Sequence, residues 1–543
     1  MKLSGIWLLF FWLAVVSCEP DVIVRSETDT GGLVGPVTVD GQTFVDGYGR
    51  EVIFNGINLV NKNTKEHHLG PILDEQVYRD MKTLGFNVVR LGIFWDELEP
   101  EPGVFNEKYL DGLEDAVKKA GNHGVFVILD MHQDLFSDLY GEGAPSWATM
   151  SENDEHVKGA VWSDAYLISP AVQKAWDHFW NNSLASDSAG LQDHYAWTWK
   201  KVAERFKNND VVVGYDLMNE PFVGSEAQMY LPVLFKAFSE VIKREEGEDL
   251  PVSEIAQMWQ NVDTRMDVLK RIASRERYKQ VVQAVYTINS KFEKGLLQTF
   301  YQKVADSIRK VDQQKILFLN HSYFCNMGVP TALEPLKKKD GSVDKEVAYA
   351  PHAYDLLVEP KKIDKSNLDR LSFIYETIAA SGKRMNMPVI ISEWGAFGKE
   401  LQQMEKLIKK QFEIFEQYHF GNIYWDFNAQ IKKRSFYSVL SHLYPVCISG
   451  KLNSYHQDGA GLFTCSWVES EALNNSTYIF IPDLNQVDVD HIVLEPEGSG
   501  IIIESMKKSN GGFIVVEPMK KTVKREIRIM IRKESKDIPL VNN

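Results

Sequence analysis

Residues 211–221 read Val-Val-Val-Gly-Tyr-Asp-Leu-Met-Asn-Glu-Pro, an apolar run closed abruptly by Asn219, Glu220 and Pro221. A short run with little polar alternation describes a strand buried on both faces. Comparable runs occur at 52–59, 86–93, 125–131, 315–320, 347–350, 388–392 and 422–427, so that 211–218 is the fourth of eight. Between them, segments such as 74–84, 107–123 and 403–418 return apolar residues at three- and four-residue spacing, the period of amphipathic helices. Eight buried strands alternating with helices predict the α/β class and a closed (β/α)₈ TIM barrel over residues 37–435. An open doubly wound sheet is the alternative, but no glycine-rich phosphate-binding turn follows the first strand.

The interval between strands four and five is long. Around residues 240–310 it is rich in Lys, Glu, Arg and Gln with periodic Leu, Val and Ile, which predicts a helical insert. Beyond 436 the helical period stops and short β-rich segments alternate with turns, predicting an antiparallel β-sandwich to residue 543. Residues 37–58 read as a hairpin leading into the first strand, and 19–36 as a flexible segment. At the N-terminus, Lys2, an apolar run over 6–16 and the small pair Ser17-Cys18 describe a signal peptide over residues 1–18. Val15-Val16-Ser17-Cys18 also loosely matches a bacterial lipoprotein box. A secretory route is expected, ending outside the cell or in a digestive vacuole, with no transmembrane segment.

A formal net charge of -15 opposes nucleic-acid binding, because phosphates would be repelled. In an oxidising compartment Cys447 and Cys465 are a candidate disulfide, which leaves Cys325 as a buried free thiol. No zinc-ligand spacing is present. Asn181, Asn320, Asn474 and Asn475 begin glycan acceptor triplets, Asn320 being the least suitable because it ends a core strand.

In a (β/α)₈ barrel the chemistry sits at the C-terminal ends of the strands. Those ends carry Arg90, Asp130-Met131-His132-Gln133-Asp134, Asn219-Glu220, His352-Ala353-Tyr354, Glu393-Trp394-Gly395 and Trp425-Asp426. Each alone has a structural explanation: Asn-Glu-Pro as a helix cap, Arg90 in an ion pair, a Trp in the core. Together they place Glu220 and Glu393 on opposite sides of one mouth. Cleavage of a glycosidic bond needs that arrangement: one carboxyl protonates the leaving oxygen while the other attacks the anomeric carbon, about 5–5.5 Å away in a retaining enzyme.

Taken in order, Arg90, the His132 segment, Leu217-Met218-Asn219-Glu220-Pro221, His352 with Tyr354, Ile391-Ser392-Glu393-Trp394-Gly395 and Trp425 resemble glycoside hydrolase family 5. Gly56-Ile57-Asn58-Leu59-Val60-Asn61-Lys62, Asp130–Asp134 and the tail from Tyr444-Pro445 are similar to its endoglycoceramidase group. The resemblance implies Glu220 as acid/base, Glu393 as nucleophile and Asn219 as a partner of the sugar 2-hydroxyl. It further implies Lys62, His132 and Asp134 as ligands of the glucose next to the lipid, Trp425 stacked beneath the sugar, and no metal or cofactor. Arg90 is expected to favour the charged form of Glu393, whose charge would raise the pKa of Glu220, with His352 or Tyr354 donating to the nucleophile. The implied substrate is a glycosphingolipid, met at a micelle or membrane surface. Leu135, Phe136, Leu139, Tyr140, Pro145 and Trp147, after strand three, are expected to line a ceramide groove, or else to pack that loop on the barrel. Competing functions are an endo-β-1,4-glucanase, a steryl-glucoside hydrolase and a non-catalytic carbohydrate-binding barrel.

Overall fold

The computed structural model describes residues 22–28, 31–159, 161–356, 368–395, 402–428, 431–433 and 436–532. The expected signal peptide lies outside these residues. Eight parallel strands form the barrel: β1 (Asn55–Leu59), β2 (Val88–Ile93), β3 (Phe126–Met131), β4 (Val212–Asp216), β5 (Ile316–Leu319), β6 (Val347–Tyr349), β7 (Ile390–Gly395) and β8 (Gly421–Trp425). Their spatial order is β6-β5-β4-β3-β2-β1-β8-β7. Bridges Tyr349–Val389 and His352–Glu393 join β6 to β7 and close the ring. Side chains alternate as the pleat requires: Val89 and Leu91 join the apolar layer under the helices, and Val88 joins the inner core. Gly214 is needed where β4 meets β5, because a Cβ there would sit 1.9 Å from the Ile316 carbonyl oxygen.

Between β4 and β5 run α1 (Tyr230–Glu246), α2 (Val252–Gln260), α3 (Val262–Arg271), α4 (Arg275–Gln283) and α5 (Tyr286–Phe292), then a π turn (Glu293–Leu297) and α6 (Gln298–Ile308). The expected insert is therefore helical throughout α1 to α5.

The second layered unit draws on both ends of the chain. Its larger sheet has the order Val22–Thr28, Ile501–Met506, Gly512–Val516, Thr477–Ile481, Tyr444–Ile448, Glu51–Val52, Thr43–Val45 and Thr38–Asp40. The smaller is Gly450–Gln457, Leu462–Glu469, Val523–Met530 and Val493–Glu495. Two expectations change here. Residues 22–28, read as flexible, form a strand that pairs in parallel with 501–506. Residues 38–52, assigned to the barrel, extend the sandwich sheet. Phe44 of that hairpin packs edge-on against Phe54 at 5.1 Å and lies 6.2 Å from Phe318, linking the sandwich core to the barrel floor.

The disulfide is also corrected: Cys447 and Cys465 are free and buried. Strand pairing draws them apart, Cys447 opposite Val52 and Tyr478 in the larger sheet, Cys465 opposite Tyr455 and Ile527 in the smaller. Burial raises both thiol pKa values, that of Cys447 to about 12, which disfavours the reactive thiolate. Added reductant should leave the melting temperature unchanged; a fall of several degrees would restore the bridge. Cys325 is buried and free, as expected. Asn320 is buried and donates to Asp216, so it is closed to a glycan, whereas Asn181 and Asn474 are exposed. No helix among the described residues is long and apolar enough to cross a membrane.

Candidate active site

Arg90 points from β2 into the top of the barrel and is fully buried. Its Nε donates to Asp216 (2.8 Å), Nη2 to Asp130 (2.7 Å) and Asn219 (3.0 Å), and Nη1 to Glu393 (2.8 Å) and Asn58 (3.1 Å). All five guanidinium protons are thus used, which fixes the rotor on which the site is built. Burial disfavours the Arg90 charge, but Asp130, Asp216 and Glu393 outweigh it and raise its pKa.

Glu393, on β7, receives Arg90 on Oε1 and the Tyr354 hydroxyl on Oε2 (3.0 Å). Glu220 follows β4 with φ of 43°, the left-handed region that bulky residues avoid at a cost of roughly 1–3 kcal/mol. His352 stands between the two acids, its Nδ1 2.9 Å from Glu220 Oε1 and 3.4 Å from Glu393 Oε2. One oxygen of Glu220 and one of Glu393 lie within 4.8 Å of each other. Burial, then the charge of Asp134, pushes the Glu220 pKa up to about 7. The charge expected to do this was that of Glu393; Asp134 is the stronger source. Burial also raises Glu393, against the pull of His352 and Arg90.

Beside the acids, Lys62 forms ion pairs with Asp134 and, at 2.7 Å, with Glu142. His132 donates through Nδ1 to the Asp130 carboxylate (2.8 Å); burial opposes its charge, but Asp130 and Asp134 prevail and raise its pKa to about 9. Its Nε2 has no hydrogen bond among the described residues and lies 3.7 Å from Asp134 Oδ2. The Trp425 ring lies parallel to His132 at 5.5 Å, with the Lys62 ammonium 5.3 Å from its centre. Among the described residues, two donor groups have the spacing of a metal site, His132 with Asp134 and Glu142, and Glu220 with His352 and Glu393. Lys62 pairs with Asp134 and Glu142, and Arg90 with Glu393.

The expected catalytic and sugar-binding residues meet here, Arg90 and His352 behind the surface and Lys62, His132, Asp134, Asn219, Glu220, Tyr354, Glu393 and Trp425 along a cavity of about 630 Å³. Asn58, Asp216, Glu142 and Asn326 were missed. Inward parity on β1 and β4 signals the first two; Glu142 and Asn326 lie in loops with no such signal.

The apolar half of the cavity overturns the loop expectation. Leu231, Leu234, Phe235 and Phe238 line it, the i, i+3, i+4, i+7 face of α1, with Trp259 of α2 and Val281 and Val282 of α4. The loop after β3 packs instead: Phe136 is edge-on to Trp176 at 5.0 Å, and Trp147 to Trp95 at 5.6 Å. Leu139 is 53% exposed, and Leu135, Phe136, Leu139, Tyr140, Pro145 and Trp147 are all absent from the cavity wall.

A family model described as Cellulase (glycosyl hydrolase family 5) matches residues 45–431. The chain belongs to this family. Among curated relatives, an endoglycoceramidase of Cyanea nozakii is 34% identical over 224 residues, 36% of this chain and 43% of that protein. Endoglycoceramidase I of Rhodococcus hoagii (strain 103S) is 37% identical over 194 residues, 35% of this chain and 38% of the relative. The matched segment of this family 5 chain thus spans less than half the length of each. The endo-glycoceramidase II of Rhodococcus sp., solved with ganglioside GM3, shares the fold at a TM-score of 0.67 and 23% identity, covering 91% of this chain and 100% of that one.

Proposed function

We propose that the chain is a secreted, retaining endo-β-glycosidase that cleaves between the oligosaccharide and ceramide of glycosphingolipids. One observation carries the reading: the paired carboxylates open into a cavity whose far wall is apolar and built by the insert. An aqueous glucan chain has no use for such a wall, whereas a lipid aglycone buries apolar surface against it. Similarity to endoglycoceramidases supports the same substrate class.

The chemistry follows from the two environments. Glu220, raised to about 7, keeps its proton at mildly acidic pH and gives it to the glycosidic oxygen as the C1–O bond breaks. Glu393, held by Arg90 and Tyr354, attacks the anomeric carbon; the close spacing of the two acids supports direct attack by the carboxylate in the first step. Once Glu393 is esterified, Glu220 takes a proton from water and the sugar is released with its configuration retained. Activity should therefore fall above about pH 7 as Glu220 ionises.

The test is product analysis with a defined ganglioside, a steryl glucoside and a soluble cellulose derivative. Release of free ceramide and an intact oligosaccharide is expected; turnover of either other substrate alone would overturn the reading. Replacing Leu234 and Phe235 with Ser should raise KM for the ganglioside about 10–100-fold. The KM for a short aryl glycoside should change little, and equal effects on both would remove the insert from lipid binding. Residues 1–18 support export, so material recovered from the medium should begin near Cys18 or Glu19.

A further inference from the structure

The loop after β5 carries Asn326, a residue outside every motif that touches Glu220 directly and is linked to Glu393 through Tyr354. Its side-chain Nδ2 donates to Glu220 Oε1 at 2.7 Å. Its backbone carbonyl accepts from Tyr354 N at 3.3 Å, and the Tyr354 hydroxyl donates to Glu393. The amide is itself held from behind. Asn326 Oδ1 lies 2.9 Å from His321 Nε2, and His321 Nδ1 lies 2.7 Å from the Tyr349 hydroxyl. Since an amide oxygen only accepts, His321 must carry its proton on Nε2 and take the Tyr349 hydroxyl hydrogen on Nδ1. Asn326, His321, Tyr349 and both acids are buried, and Tyr354 is half-buried. The loop is pinned at both ends by Glu293 of the π turn, which accepts from Ser322 N (3.0 Å), Thr331 Oγ1 (2.9 Å) and Ala332 N (2.6 Å).

Glu220 Oε1 faces Asn326 Nδ2 at 2.7 Å and His352 Nδ1 at 2.9 Å, and the nucleophile carboxylate of Glu393, 3.4 Å from the same His352 nitrogen, favours the tautomer with the proton on Nδ1, so both groups donate. A carboxyl oxygen has two acceptor sites, and two donors fill them. We propose that Asn326, oriented by His321 and Tyr349, is a positioning residue that confines the acid proton of Glu220 to Oε2, the oxygen that meets the glycosidic bond. The proposal rests on Glu220 being the acid/base. In the first half-reaction the Oε2 proton goes to the leaving oxygen, which keeps the C1–O electron pair. In the second, the same Oε2 takes a proton from the attacking water. The Asn326 hydrogen bond also favours the carboxylate, against burial and the charge of Asp134. The other ionisable groups facing Glu220 are Arg90, His132, Tyr166, His352, Tyr354 and Glu393.

Three variants test this in the full-length protein: Asn326→Ala, His321→Leu and Tyr349→Phe, the last removing a single oxygen far from substrate. For Asn326→Ala, the basic limb of kcat/KM should move up by about one pH unit, because a donor to the carboxylate is lost. Its kcat/KM on a ganglioside should fall on the order of 100-fold, and far less on a dinitrophenyl glycoside, whose leaving group needs no proton. His321→Leu and Tyr349→Phe should shift the limb in the same direction by decreasing amounts. An unmoved basic limb, or equal losses on both substrates, would overturn the proposal. Glu220→Gln serves as the control: if it lacks the leaving-group split, the acid/base assignment itself fails. If it shows the split while Asn326→Ala does not, only the role of Asn326 fails.

Discussion

Glu393→Gln should lower kcat on the order of 10⁵-fold for ganglioside and aryl glycoside alike, while the protein stays folded. The amide fills the space of the carboxyl but cannot form the glycosyl ester, so an activated leaving group offers no escape. Folding should survive because burial already works against the Glu393 charge. Arg90 keeps two buried carboxylates, Asp130 and Asp216, at 2.7 and 2.8 Å. Steady-state kinetics beside a melting curve check both halves. An active variant would move the nucleophile elsewhere; an unfolded one would make Glu393 a structural residue first.

The second large effect belongs to Arg90. Arg90→Met keeps most of the apolar stem but strands Asp130, Asp216 and Glu393 around one fully buried point. Removing one partner of a buried ionic cluster costs about 3–5 kcal/mol, and urea unfolding should show a loss of that size together with loss of activity. The loss should be smaller at pH 5 than at pH 7.5, because protonation relieves the stranded carboxylates. An unchanged unfolding midpoint would remove Arg90 from the centre of the fold.

The parent protein has a pH dependence of its own. Burial raises Glu51 and Glu220 to about 7, and Glu416 beside His456 in the same direction, so the native state holds protons that the unfolded chain has released. Their stabilisation is full below the unfolded carboxylate range and is lost as pH rises through about 7. Buried His321, His352 and His442, lowered to about 3, 4 and 4, oppose this below about 6.5, where the unfolded chain binds the extra protons. His132, raised to about 9, gives up its own contribution as pH rises through that value. Stability should therefore fall between about pH 6.5 and 9. Urea midpoints at pH 6.5 and 8.5 decide it, and an equal or higher value at 8.5 would contradict the assignment.

What could be read from sequence followed one physical rule. Arg90, His132, Glu220, His352, Glu393 and Trp425 sit at strand ends, where a parallel barrel collects its polar groups, so counting strands located them. Asn326 sits in a loop whose path depends on Glu293, far back in the insert, and no local pattern encodes that anchor. The α1 face was visible as a helical stripe, but Leu231 and Phe235 would look the same packed on the barrel as facing a ligand. The strand at 22–28 pairs with residues nearly five hundred positions away, a partnership that local composition does not reveal. Cys447 and Cys465 are near in sequence, yet sheet assignment rather than spacing decides whether two thiols meet.

Trapping the intermediate tests the account at its centre. A 2-deoxy-2-fluoro β-glycoside with an activated leaving group slows ester breakdown, so the sugar accumulates on the nucleophile. Digestion and mass spectrometry should place one added glycosyl unit on the peptide bearing Glu393, with release of one equivalent of leaving group. A label on any other residue, or steady turnover with no covalent adduct, would contradict it.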